Sequence, residues 1–184
     1  MNQFAGDVSA YSRYAAEFDA PIRCELLYGD THGAIGQIAG KYRLARCFPR
    51  RFDVDLGLPR YGPIVSALQA YQPDGSSDPV LAVLDLSRDL QRCYHKGALS
   101  AASKFLWFLW GREVLIYDRQ AFTTLQRRFP ALPPRDYHSY CSAWVAYFTE
   151  CAESISTECN RQGFSVERPF LERVFDWHLW RSGK

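Results

Sequence analysis

Two residues of this chain, Lys104 and Asp118, have the types and surroundings for covalent chemistry. Lys104 is followed directly by Phe105-Leu106-Trp107-Phe108-Leu109-Trp110, six large apolar residues in a row. A helix that is apolar all the way round must be buried in its domain. A lysine at the mouth of such a helix sheds water, and a desolvated amine attacks electrophiles more readily. Fourteen residues later Asp118 closes the next apolar run, Leu115-Ile116-Tyr117. An amine and a carboxylate in this order suit attack on carbon with a fixed anion beside the developing charge. Plainer readings stand next to this one. The Lys104 ammonium can snorkel to water from a helix start. Asp118 can simply cap the next helix, a role worth about 1 kcal/mol.

The elements that must position these two residues read as helices. Residues 8–18 have helical periodicity, and Gly33 to Phe48 places Ile35, Ile38, Tyr42 and Ala45 at helical spacing. Pro49, Pro59 and Pro63 break the chain into a loop-rich connection. Ile64–Tyr71 predicts a short helix, ended by the turn Pro73-Asp74-Gly75-Ser76-Ser77. Asp78 and Pro79 open a helix to about Tyr94. Gly97 and Gly111 bracket a helix over Ser100–Trp110, and Val114–Tyr117 is short and extended. Asp118 caps a helix reaching Phe129, a long helix runs from about Arg135 to Asn160, and Glu167–Arg181 forms the last. On that last helix Arg173, Asp176, Trp177 and Trp180 share a face, with the Arg173–Asp176 pair expected to face outward or close a cap. The prediction is a compact, mainly α, multi-helix domain over 1–184, with 73–78 as a point near which a subdomain could split off.

At 184 residues the chain suffices for one substantial core, and 47% hydrophobic with 15% aromatic residues argues against overall disorder. The net charge of +2 is too small to indicate nucleic acid by itself, so the distribution matters more. Lys41, Arg43, Arg46, Arg50, Arg51 and Arg60 cluster against Asp53 and Asp55, interleaved with Tyr42, Phe48, Phe52 and Tyr61. Basic residues among aromatics can follow a phosphate backbone and stack on exposed bases. The same pattern also describes a solvated face over core aromatics. Of these, Arg43, Arg46, Arg50 and Arg51 are the candidate nucleic-acid contacts.

Other chemistries find little support. The six cysteines form no C-x-x-C pair, so neither a zinc nor an iron–sulfur site is expected, and reduced thiols in a cytoplasmic protein are the simplest reading. No metal or cofactor is called for. There is no signal-peptide pattern and no run long enough to span a bilayer, so no membrane partner is expected. Gly33-Ala34-Ile35-Gly36 and Gly40-Lys41-Tyr42 lack phosphate-loop spacing and its Ser or Thr. The histidines at 32, 95, 138 and 178 are isolated, and His95 alone is retained as a site-edge candidate.

The order Ser103-Lys104-Phe105-Leu106-Trp107-Phe108, then Ile116-Tyr117-Asp118, resembles the helix-hairpin-helix DNA glycosylase superfamily, which includes the 8-oxoguanine DNA glycosylases. The hairpin is degenerate, since Gly97 stands where that family has G-x-G. The chain is also similar to a group of small bacterial proteins with an S-K-F-L-x-F and I-Y-D segment and an L-W-x-x-G-K tail, here Leu179 to Lys184. The glycosylase resemblance implies a fold of that type and excision of a modified or damaged base from double-stranded DNA. In that scheme Lys104 attacks the anomeric carbon of a flipped nucleotide. Asp118 stabilises the cationic sugar and helps deprotonate the attacking amine or water. Trp107, Tyr117 and Trp177 line the extruded base, with His95 at the edge. Damaged genomic bases and modified bases of foreign DNA both fit. The alternative class is a non-catalytic helical module that binds nucleic acid or protein.

Overall fold

The computed structural model describes residues 2–48, 60–71, 77–95, 97–111 and 113–184. The chain is mainly helical, and no strand occurs among the described residues. In chain order, α1 spans Ala5–Tyr14, a π-helical segment covers Ala15–Asp19, and α2 spans Ala20–Tyr28. Next come α3 (Thr31–Lys41), a 3-10 turn (Ala45–Cys47), α4 (Gly62–Gln69), α5 (Pro79–Tyr94) and α6 (Leu99–Trp110). Finally α7 spans Arg119–Arg128, α8 Tyr137–Gln162 and α9 Arg168–Ser182. No helix of the described residues is long and apolar enough to cross a membrane.

Two departures from the periodicity have local causes. Helical structure continues past Phe18 through Pro21 to Tyr28, where periodicity assigns nothing. Proline lacks an N–H and its ring crowds the carbonyl four residues back. The π-helical segment directly upstream loosens the ladder at that point and admits Pro21 into the first turn of α2. The second departure is that helix does not run through to Phe48. It stops because Arg43 takes a left-handed conformation (φ 55°). The Leu44 N–H then bonds Ala39 O at 2.8 Å and the Arg43 N–H bonds Gly40 O at 3.2 Å, a Schellman ending with arginine where glycine is usual.

Contacts divide the chain into two compact units: Met1–Phe18 with Tyr117–Lys184, and Asp19–Ile116. In the first, α9 packs on α1, α7 and α8. Its core includes Trp144, Tyr140, Val174, Phe175 and Leu179. The C-terminal Gly183 explains part of the tail motif. A Cβ there would stand 2.0 Å from the Gln120 carbonyl oxygen, so only glycine lets the end of α9 close on α7. Gly183→Ala is therefore expected to lower stability by roughly 1–3 kcal/mol, measured by urea unfolding. A wild-type midpoint would show that this contact gives way freely. The neighbouring Lys184 lays its ammonium 3.5 Å from the Trp180 ring centre.

In the second unit, α6 packs against α2, α3 and α5. Phe105, Leu106 and Phe108 are wholly buried, as an all-round apolar helix requires. Gly111 ends α6 at φ 79°, where its N–H reaches Trp107 O at 2.7 Å. Asp78 caps α5 by accepting from the Val80 N–H at 2.7 Å and the Leu81 N–H at 3.2 Å.

Candidate active site

Lys104 lies in the second turn of α6, not at its mouth, and its side chain does not reach water: the residue is 3% exposed. The snorkelling reading is overturned because α6 begins at Leu99 and carries the lysine into the interior of the packed helix. Its Nζ donates to Ser100 Oγ at 2.8 Å, one turn back. The same nitrogen is 5.9 Å from the centre of the Tyr42 ring. Tyr42 follows the end of α3, packs edge-on against Phe108 with centroids 5.5 Å apart, and donates its hydroxyl to Asp19 Oδ1 at 2.7 Å. Asp19 is itself only 4% exposed. The amine thus bonds Ser100 and lies beside Tyr42, whose hydroxyl Asp19 holds, all within one unit.

Asp118 belongs to the other unit. Its extended backbone precedes α7, and Oδ1 accepts from the Gln120 N–H at 2.9 Å, so the capping role is filled. Its charge also reaches Tyr140 and Asp176. Asp176 is buried rather than outward-facing as the helical spacing suggested. The reason is that two donors accompany it inside: Trp144 Nε1 to Oδ1 and Arg173 Nη1 to Oδ2, each at 2.7 Å. Burial pushes the Asp176 carboxyl up, and the Asp118 charge adds to this, while Arg173 and Trp144 pull it back. Tyr117 packs edge-on against Tyr140 at 4.9 Å, and burial raises its phenol.

The remaining candidates scatter. Trp107 is half-buried on α6 and sits edge-on to Phe108 at 4.9 Å. Trp177 on α9 lines an open cleft of about 200 Å³ with Ala10, Arg13, Tyr14, Glu17 and Phe18. Its ring already touches that of Tyr14, with centroids 5.1 Å apart, so it offers the cleft an aromatic wall. The Trp177 Nε1 is buried and has no hydrogen-bond partner among the described residues. His95 ends α5 in the left-handed conformation (φ 54°) and is exposed.

Arg43 and Arg46 are exposed, whereas Arg50 and Arg51 lie outside the described residues. The interleaved aromatics are mostly occupied. Phe48 is 3% exposed and packs on Tyr61, Tyr94 and Phe105. Arg60 is turned inward, donating to the carbonyls of Ala45 and Phe48. Because Arg43 is held in a left-handed backbone that costs it energy, Arg43→Gly should raise stability by about 1 kcal/mol while removing a charge. Unfolding midpoints and DNA affinity measured on this one variant separate the two roles. An unchanged midpoint would mean the strain is negligible.

Sequence reasoning did not find Tyr42 as a neighbour of Lys104, nor Asp19 as the partner of Tyr42. Ser100 was within reach of it, since i and i+4 meet on a helix. Nothing in the spacing joins residues 19, 42 and 104. All six cysteines are free, and burial pushes the Cys159 thiol up to about 11, which keeps it inert. No protein-family model, curated protein or solved structure matches the chain.

Proposed function

We propose that the protein is a DNA glycosylase that flips and excises a modified or damaged base, with Lys104 as nucleophile and Asp118 as charge stabiliser. The observation that carries this reading is Lys104 itself, set in the all-round apolar helix α6 with its amine held by a hydroxyl and an aromatic ring. A lysine head is rarely buried so deeply unless it is partnered or put to use.

In the reaction the Nζ lone pair bonds the anomeric carbon and the glycosidic C–N bond breaks. Its electrons leave on the base, which takes a proton from water. The hydroxide so formed takes the amine's surplus proton, and the remaining N–H proton passes to the ring oxygen as the C1′–O4′ bond breaks and the nitrogen lone pair closes a Schiff base. Asp118 supplies a fixed anion for the cationic sugar. Trp107, Tyr117 and Trp177 are the aromatic candidates for the extruded base, His95 is the edge residue, and Arg43, Arg46, Arg50 and Arg51 are the phosphate contacts.

Borohydride trapping on duplexes carrying a panel of modified bases tests the assignment. A covalent adduct mapped to Lys104, with an abasic product, is the expected result. Neither product on any duplex would remove the enzyme reading.

Two observations favour the second reading, a non-catalytic helical binding module: Lys104 is paired with Ser100 and walled off from solvent, and Asp118 is already employed as the cap of α7. Asp118→Asn decides between them, because asparagine caps a helix about as well as aspartate but carries no charge. The glycosylase reading expects wild-type stability with base release reduced about 100-fold. The module reading expects salt-dependent DNA binding that survives Lys104→Ala with no base release at all.

A further inference from the structure

We propose that Tyr42 and Asp19 are positioning residues for the Lys104 amine: Asp19 anchors the Tyr42 hydroxyl, and the anchored ring together with Ser100 aims Nζ. The catalytic consequence rests on the base-excision reading, whereas the clamp itself can be measured without DNA.

The geometry starts at the π-helical segment. Asp19 ends it and stands at the N-cap position of α2, where an aspartate ordinarily accepts from a helix N–H. It makes no such bond. A π-helical turn adds a residue to the helical register and rotates the chain beyond it, so Asp19 falls on the buried side. There its Oδ1 accepts the Tyr42 hydroxyl at 2.7 Å. Edge-on contact with Phe108 holds the same ring from another side, at 5.5 Å. A ring fixed at both ends lies 5.9 Å from Nζ, within reach of a cation–π attraction. Ser100 Oγ accepts one of the amine's protons at 2.8 Å.

With a hydroxyl on one side and a fixed ring on another, the amine has few rotamers left. A nucleophile confined in this way reacts faster because its orientation is settled before the substrate arrives. Tyr42 and Asp19 exchange no proton with the substrate. They act through Lys104, and a released ring loosens the amine without touching the reacting atoms.

Two measurements on Asp19→Ala, Asp19→Asn, Tyr42→Leu and Tyr42→Phe test the clamp. In the first, the protein alone is treated with propanal and borohydride, and alkylation of Lys104 relative to Lys184 is tracked by mass spectrometry. Asp19→Ala and Tyr42→Leu are expected to raise Lys104 alkylation at least about 5-fold, because loosening the packed ring lets a small reagent reach an amine that is otherwise buried. Asp19→Asn still accepts from the phenol and should stay within about 2-fold of wild type. Tyr42→Phe keeps the ring without its anchor and should fall between.

The second measurement is single-turnover trapping on DNA. Asp19→Ala and Tyr42→Leu should slow it about 10-fold or more at unchanged DNA affinity, with Asp19→Asn restoring the rate. If Tyr42→Leu fails to fold, Tyr42→Phe and the Asp19 pair give the same reading. Unchanged Lys104 alkylation in both Asp19→Ala and Tyr42→Leu overturns the clamp. Faster alkylation with unchanged trapping overturns its catalytic role. A wild type that traps no DNA at all sinks base excision, and alkylation then decides the clamp alone.

Discussion

Lys104→Met should abolish the borohydride-trapped adduct and slow base release on the order of 1000-fold, about 4 kcal/mol of transition-state stabilisation. Methionine is the informative replacement because it keeps an unbranched apolar stem in the buried slot and removes only the amine. Lys104→Ala loses the same chemistry but leaves a hole in a close-packed helix interface, so its stability change is harder to separate from its catalytic one. If Lys104 is architectural, the order reverses: base release is absent or unaltered, and the main effect is on stability. Deleting the amine then frees Ser100 Oγ and removes a cation from the Tyr42 ring. A melting curve and a single-turnover rate on Lys104→Met distinguish the two. A rate within about 3-fold of wild type would end the nucleophile assignment.

The largest expected effect on stability is at Asp176. Asp176→Ala should cost about 3–5 kcal/mol, because it removes a carboxylate that both the buried Arg173 guanidinium and the Trp144 indole N–H donate to. Much of that loss is the penalty of leaving buried donors short of an acceptor rather than the worth of the pair. The double replacement Arg173→Met with Asp176→Leu should accordingly recover most of the loss. Failure to recover it would show that the pair itself stabilises this unit.

The pH dependence has a definite sign. Burial raises the folded Asp176 carboxyl above its unfolded value, so the folded state holds this proton more tightly. The resulting contribution is fully present below the unfolded aspartate range and fades as pH rises through the higher, folded value. Wild type minus Asp176→Asn stability, measured from pH 3 upward by urea unfolding (roughly the aspartate range and above), should fall with pH. A difference that grows with pH would reverse the assignment and make the Arg173 charge the dominant influence.

Much of the helical architecture was legible because its signals are local. Asp78 and Asp118 announce helix starts through short side chains that bond N–H groups two or three residues on. Gly111 and Gly163 mark helix ends because the chain there has positive φ. The burial of α6 comes from six apolar residues that leave no polar face. Where the reading fell short, a longer-range or compensated effect intervened. The helix over 20–28 has no strong period, and the π-helical segment upstream is what carries the chain into it past Pro21. Arg43 breaks α3 although arginine is a good helix former, because the Schellman bonds reward a left-handed residue there. The Arg173–Asp176 pair reads as a surface i, i+3 bridge, and only the Trp144 indole explains how it can be buried.

By itself the sequence determined the helical class, most helix boundaries and the choice of Lys104 and Asp118 as the residues to question. These depend on spacing along one chain segment, where hydrogen-bond reach and helical period suffice. Only the tertiary structure decided that Lys104 is buried in the second turn of its helix, that Tyr42 lies beside it with Asp19 bonded to that tyrosine, and that Asp176 is interior. Those facts join residues 62 and 85 positions apart in one cluster, and 32 in the other. Nothing in a linear period encodes such pairings, since packing selects them by excluding water around whichever polar groups can satisfy one another.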